Sequence, residues 1–74
     1  MRYDLPEVVN VKLIIYNILG QEVTRLVDAT QGPGRYSVTW NGKNQAGASL
    51  SSGLYMYRII SGDFVQTRKM VLLK

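Results

Sequence analysis

The sequence predicts an all-β protein, an antiparallel β-sandwich, and three observations carry that expectation. Apolar residues recur at every second position through most of the chain, the period of a half-buried strand and not of a helix. Clusters of Gly, Asn, Ser and Pro interrupt these runs at spacings of about 8–12 residues, as hairpin and crossover turns would. Aromatic residues sit inside the runs, where sandwich cores use them as bulk.

Tyr3-Asp4-Leu5 reads as a short edge strand that Pro6 ends, because proline fixes φ and removes a ladder donor. Val9, Val11, Leu13 and Ile15 then alternate with Asn10, Lys12, Ile14 and Tyr16. Ile14 and Tyr16 make the second face partly apolar, which fits a central strand. Asn17-Ile18-Leu19-Gly20 is a turn, with Gly20 free to take a positive φ, and Glu22 to Val27 is the partner strand. A loop is expected from Asp28 to Gly34, marked by Gly32-Pro33-Gly34. Arg35 to Trp40 is the cleanest strand, with Tyr36, Val38 and Trp40 inward and Ser37 and Thr39 toward water.

Asn41 to Ser52 reads as a longer loop, pinned to the core by Leu50. Gly53 opens a strand from Leu54 to Ile60, in which Tyr55, Tyr57 and Ile59 share a face. Ser61-Gly62-Asp63 is a tight hairpin turn, and a last strand runs from Phe64 to the end. Its faces divide into Val65, Thr67, Lys69, Val71 and Leu73 against Phe64, Gln66, Arg68, Met70 and Leu72. The expected core is Leu13, Ile15, Tyr36, Val38, Trp40, Tyr55, Tyr57 and Ile59. With about six to seven strands, the architecture is immunoglobulin-like.

Seventy-four residues make one domain near the lower size limit for a self-sufficient core. Such a core supplies about 3–5 kcal/mol without staples. No cysteine is present, so disulfides and thiolate metal sites are excluded, and no histidine is present to act as a base. The carboxylates Asp4, Glu7, Glu22, Asp28 and Asp63 fall in separate turns and strand ends, and no acid/base pairing is indicated. The chain therefore reads as non-enzymatic. The net charge of +4 is spread without a run of like charge, so polyanion binding is permitted but not suggested. No apolar stretch is long enough to span a bilayer and no signal peptide is visible, so the chain reads as a module excised from a larger secreted protein.

Five motifs occur in a telling order. They are Ile15-Tyr16-Asn17-Ile18-Leu19-Gly20-Gln21-Glu22-Val23, Gly34-Arg35-Tyr36-Ser37-Val38-Thr39-Trp40-Asn41-Gly42, Ala46-Gly47, Ser52-Gly53-Leu54-Tyr55-Met56-Tyr57-Arg58 and Lys69-Met70-Val71-Leu72-Leu73-Lys74. In that order they resemble the type A C-terminal sorting domain of the type IX (Por) secretion system, over about Asp4 to Lys74. In pattern they are also similar to the immunoglobulin-like module of the flagellar hook-cap protein, which shares the Trp-Asn/Asp-Gly and Gly-x-Tyr elements. The Lys-Met-Val-Leu-Leu-Lys ending favours the sorting domain.

That resemblance implies a non-catalytic delivery signal, carried by a secreted or surface protein of a Gram-negative bacterium. The implied partners are outer-membrane components: a shuttle protein, a channel and a sortase-like peptidase, with a cargo domain upstream. Residues Lys69, Met70, Val71, Leu72, Leu73 and Lys74 would be read by that machinery. The motif positions Gly20, Gly34, Tyr36, Trp40, Gly42, Gly47, Gly53, Tyr55 and Tyr57 would shape the fold. No cofactor or nucleic acid is implied. The family often carries Asp where this chain has Asn41 and Asn44, which weakens a metal-assisted role for that loop.

Plainer explanations compete at each position. The aromatic set fits core packing better than a sugar-stacking platform, because its phase is inward. The glycines fit turn geometry. The loop from Asn41 to Gly47 contains no carboxylate, whereas hard cations favour several charged oxygens. Arg58, Arg68 and Lys69 fit a solvated face, and terminal lysines fit edge protection. Two other functions stay open: a structural assembly or spacer module, and a carbohydrate-binding sandwich with Tyr55 and Tyr57 toward solvent.

Overall fold

The computed structural model describes residues 1–73 and contains six strands. These are β1 (Arg2–Leu5), β2 (Val9–Tyr16), β3 (Glu22–Gln31), β4 (Gly34–Ser37), β5 (Gly53–Ser61) and β6 (Phe64–Leu72). They form two antiparallel sheets, a pair β1-β4 and a four-stranded sheet in the order β3-β2-β5-β6. Among the described residues there is no helix. The predicted immunoglobulin-like sandwich is the fold observed.

β2 is central because it can bury both faces. Val11, Leu13 and Ile15 are fully buried on the inner face, and Ile14 is 4% exposed on the outer one. Direct partners across the sheet share a face, so Leu13 and Ile15 align with Ile59 and Tyr57 of β5. Ile15, Tyr55 and Trp40 form the heart of the core, with Met1, Leu26, Leu50, Met70 and Leu72 packed against it. Burying an aliphatic side chain of this size contributes about 1.5–3 kcal/mol.

Trp40 meets Tyr55 edge to face, with ring centroids 5.1 Å apart. Both keep their polar ends bonded: Trp40 Nε1 donates to the Lys43 carbonyl at 3.0 Å, and the Tyr55 hydroxyl to the Ser51 carbonyl at 2.8 Å. These bonds tie the long loop to the core from both ends, and Leu50 packs between them as expected.

Strand boundaries differ from the sequence expectation at β3, β4 and β6, the last ending at Leu72 with Leu73 past the ladder. β3 does not stop at Val27: Asp28 to Gln31 continue the ladder opposite Lys12 to Val9, so the expected Asp28–Gly34 loop shrinks to the Gly32-Pro33 corner. The weak strand propensity of Asp and Ala is overridden because β2 offers a long partner. β4, by contrast, ends at Ser37 and not Trp40. Its partner β1 has only four residues before Pro6, and Val38 then exchanges backbone bonds with Met1, both 2.8 Å.

The core list needs correction too. Tyr36, Val38 and Tyr57 are half-buried, because a two-stranded sheet covers only part of a four-stranded one. Leu5, Val11 and Ile14 are buried in addition to the expected set.

The β5–β6 hairpin turns through Gly62-Asp63, with Ser61 paired to Phe64. Gly62 has φ +58 while Asp63 stays on the negative side, the combination of a type II′ turn, which suits the right-handed strand twist. At the other hairpin, Asn17 Oδ1 accepts from the amides of Leu19 and Gln21, both at 3.0 Å, forming an Asx-type turn.

Candidate functional site

β6 and the face it shares with β5 and β2 carry the groups available for recognition. A two-residue hairpin closes on a hydrogen-bonded pair, so Phe64, Gln66, Arg68, Met70 and Leu72 direct their backbone polar groups to β5. The intervening Val65, Thr67, Lys69 and Val71 direct theirs to the open side. β6 stands at the end of the sheet order, and its pairing with β5 runs unbroken from Ser61↔Phe64 to Gly53↔Leu72. The result is a regular strand edge whose donors and acceptors meet no partner strand among the described residues.

Side chains on the outer face follow from the register. Leu54 lies beside Val71, Met56 beside Lys69, Arg58 beside Thr67 and Ile60 beside Val65. Val65 and Val71 are 57% and 64% exposed, so the edge has an apolar spot at each end and a cation between. Arg58 is held in place: its Nε lies 3.2 Å from Thr67 Oγ1 and its guanidinium carbon 5.2 Å from the centre of the Tyr16 ring. On the inner side, turning the Gln66 amide oxygen toward Arg68 brings it 2.7 Å from Nη2.

The carboxylates lie elsewhere. Glu22 and Asp28 both engage Arg25, at 2.9 and 3.1 Å. Together they hold the Arg25 guanidinium pKa above its ordinary value, the Glu22 hydrogen bond contributing most and the one from Asp28 next. Asp4 approaches Arg35 at 3.9 Å across an exposed gap. Glu7 and Asp63 line a shallow groove beside Phe64 and the Gly62 turn. Among the described residues no three His, Cys, Asp or Glu side chains gather as a metal site. The Asn41–Gly47 loop is instead organised by amides: Asn44 Oδ1 accepts from Ala46 N and Ala48 N, at 3.0 and 2.9 Å.

Of the residues expected to be read by export machinery, Met70 and Leu72 turn inward as half-buried core neighbours, while Lys69, Val71 and Leu73 are exposed. Lys74 lies outside the described residues. The motif aromatics Trp40 and Tyr55 are buried, 9% and 7% exposed, and Tyr57 packs against the same cluster. A stacking platform built from them is therefore closed.

Two surface features escaped the sequence reading. Ile18 and Leu19 project from the β2–β3 turn, 67% and 79% exposed, beside Leu50 and Leu54 in an open apolar cleft. Their apolar character was visible, but the turn assignment hid that they would find no cover. Tyr3 and Tyr36 stack across β1 and β4, with centroids 5.2 Å apart and planes 14° from parallel. Tyr3 donates to Gln31 Oε1 at 2.6 Å and Tyr36 to the Gly32 carbonyl at 2.7 Å, closing the open side of the sandwich over the β3 corner. That contact depends on a register between distant strands, which no local pattern encodes.

Comparison with curated proteins and with solved structures returns no match for this chain. A protein-family model does match, and it corresponds to the hook-cap resemblance, with the β6 edge outside the matched span. Residues 1–63 fit the FlgD Ig-like domain, and the chain belongs to that family.

Proposed function

We propose that this chain is a non-catalytic structural module, an immunoglobulin-like spacer or assembly domain of the kind the hook cap uses. The observation that carries this reading is its membership of the FlgD Ig-like family over residues 1–63. The disposition of polar groups agrees with it. Trp40 and Tyr55 are committed to the core, Glu22, Asp28 and Asp4 to surface pairs with arginines, and the exposed strand edge and sheet face are suited to protein contact. A carbohydrate-binding role has little support, because Tyr55 is buried and Tyr57 packs inward.

The sorting-signal reading is the second candidate, and one observation favours it. The segment Lys69–Leu73 belongs to the open-edged end of the sheet, with Val71 and Leu73 exposed where export machinery could grip them.

One experiment separates the two readings. The chain is fused behind a signal peptide and a fluorescent protein and expressed in a host with a working type IX system. A structural module leaves the fluorescence in the periplasm. Surface or medium fluorescence that disappears in a channel mutant, and on deletion of Lys69–Lys74, overturns the structural assignment in favour of the sorting signal.

A further inference from the structure

Four cations on the β2-β5-β6 side, Lys12, Arg58, Arg68 and Lys69, form no ion pair among the described residues. Two of them, Arg68 and Lys69, are neighbours in the middle of β6 and project to opposite faces of the sheet. Beside them lies the outward ladder of Val65, Thr67, Lys69 and Val71, which has no partner strand among the described residues and alternates donors with acceptors. An alternation of that kind is matched by another polypeptide main chain. A phosphate backbone offers acceptors only and would leave the outward carbonyls unanswered.

We propose that the edge of β6 receives an extended protein segment with adjacent acidic residues at its centre and apolar β-branched residues toward its ends. Adjacent side chains of a strand point to opposite faces, so one carboxylate meets Lys69 on the outer face and its neighbour meets Arg68 on the inner face. The flanking apolar residues cover Val65 and Val71. From Val65 to Val71 the edge is about 20 Å long, enough for a docked strand of about seven residues.

A second copy of this chain fits less well. Antiparallel pairing of β6 with itself about its middle sets Arg68 and Lys69 of one copy close to those of the other, and like charges facing across strands are destabilising. The proposal builds on the assembly reading by naming the chemistry of a partner.

The test uses the whole chain, labelled with nitrogen-15, and two blocked peptides of about eight residues. Both are rich in Val and Thr; one has Glu-Asp at its centre and the other Lys-Lys. The acidic peptide is expected to bind about tenfold tighter, and to slow exchange of the Val65, Thr67, Lys69 and Val71 amides. Lys69→Glu should weaken the preference between peptides, and Arg68→Glu combined with Lys69→Glu should invert it. Thr67→Pro removes an outward N–H and should abolish binding while the folded spectrum persists; if that variant does not fold, Lys69→Glu still decides.

Equal binding of the two peptides overturns the proposal. So does protection that spares those four amides, or a β6-mediated dimer formed without peptide. Equal competition by a single-stranded oligonucleotide also overturns it, in favour of simple charge attraction. Failure here leaves the periplasmic retention of the fluorescent fusion untouched, so the two ideas fail separately.

Discussion

β3 and β6 bound the same four-stranded sheet, yet one edge is covered by chain and the other is guarded by charge. β3 shifts register against β2 twice, between Leu13 and Ile14 and between Ile15 and Tyr16. Such irregularities bend an edge away from flat pairing. Where its backbone still points outward, Gln45 takes the place of a neighbouring strand. The Gln45 amide donates to the Val23 carbonyl at 3.0 Å, and its Oε1 accepts from Arg25 N at 3.1 Å and Thr24 Oγ1 at 3.2 Å. Arg25 is neutralised by Glu22 and Asp28. β6 has an unbroken register, no covering loop among the described residues, and Arg68 and Lys69 at its centre. Over Val23–Arg25 the loop occupies the edge of β3, whereas the charged edge of β6 repels its own kind and admits its complement.

Trp40→Ala breaks the comparison most severely. Trp40 anchors the loop that carries Gln45 and fills the centre of the core against Tyr55. A buried tryptophan truncated to alanine costs about 3–5 kcal/mol. That is comparable to the full core contribution expected for a chain this short. Urea titration of the variant should show no cooperative transition, or one moved to very low denaturant. A transition within about 1 kcal/mol of the parent would mean that the loop is held mainly from its other end.

Gln45→Ala tests the clip alone. Thr24 is a buried polar residue, 7% exposed, and its hydroxyl loses the Gln45 acceptor. The expected cost is about 1–2 kcal/mol, since an unsatisfied buried donor is dearer than an exposed one. Amide exchange gives the sharper reading. The Arg25 amide should be slow in the parent and fast in the variant, while the Lys69 amide should be fast in both. Equal exchange at the two positions in the parent would erase the distinction between the edges.

What the sequence disclosed of these edges follows from where the information lies. The alternation in Val9–Tyr16 and Phe64–Leu72, and the glycine of the Ser61-Gly62-Asp63 turn, are local patterns, and each led to a strand or hairpin that the structure contains. Leu50 was legible as an anchor because a lone large apolar residue in a polar loop has few other places to go. The clip at Gln45 was not legible. Nothing about an exposed glutamine in a Gly/Asn loop marks which backbone groups, some twenty residues earlier, it will satisfy. The strand ends at Gln31 and Ser37 were set by partner length, which is equally non-local. The open edge of β6 could be suspected from its basic-apolar composition, but its freedom depends on strand order.

The smallest effect concerns the far end of β3, where Tyr3 of the small sheet donates to Gln31. Burial pushes the Tyr3 phenol above its ordinary pKa of 10.0; the bond to Gln31 opposes that shift, and the neighbouring Tyr36 adds to it. A raised folded-state value means that the folded protein holds this proton more tightly than the unfolded chain does. The associated stabilisation is complete below the unfolded pKa of about 10 and disappears as pH climbs through the folded value. Stability should therefore fall on the alkaline side by more than the other tyrosines and lysines account for. Tyr3→Phe isolates the contribution, because every other titrating group is common to both proteins. The difference in urea midpoint between parent and variant should be constant from neutral pH up to about 9 and should shrink above 10. A difference that stays constant through that range would mean that the Tyr3–Gln31 contact does not report ionisation, and that the far end of β3 is closed by packing of the Tyr3–Tyr36 stack alone.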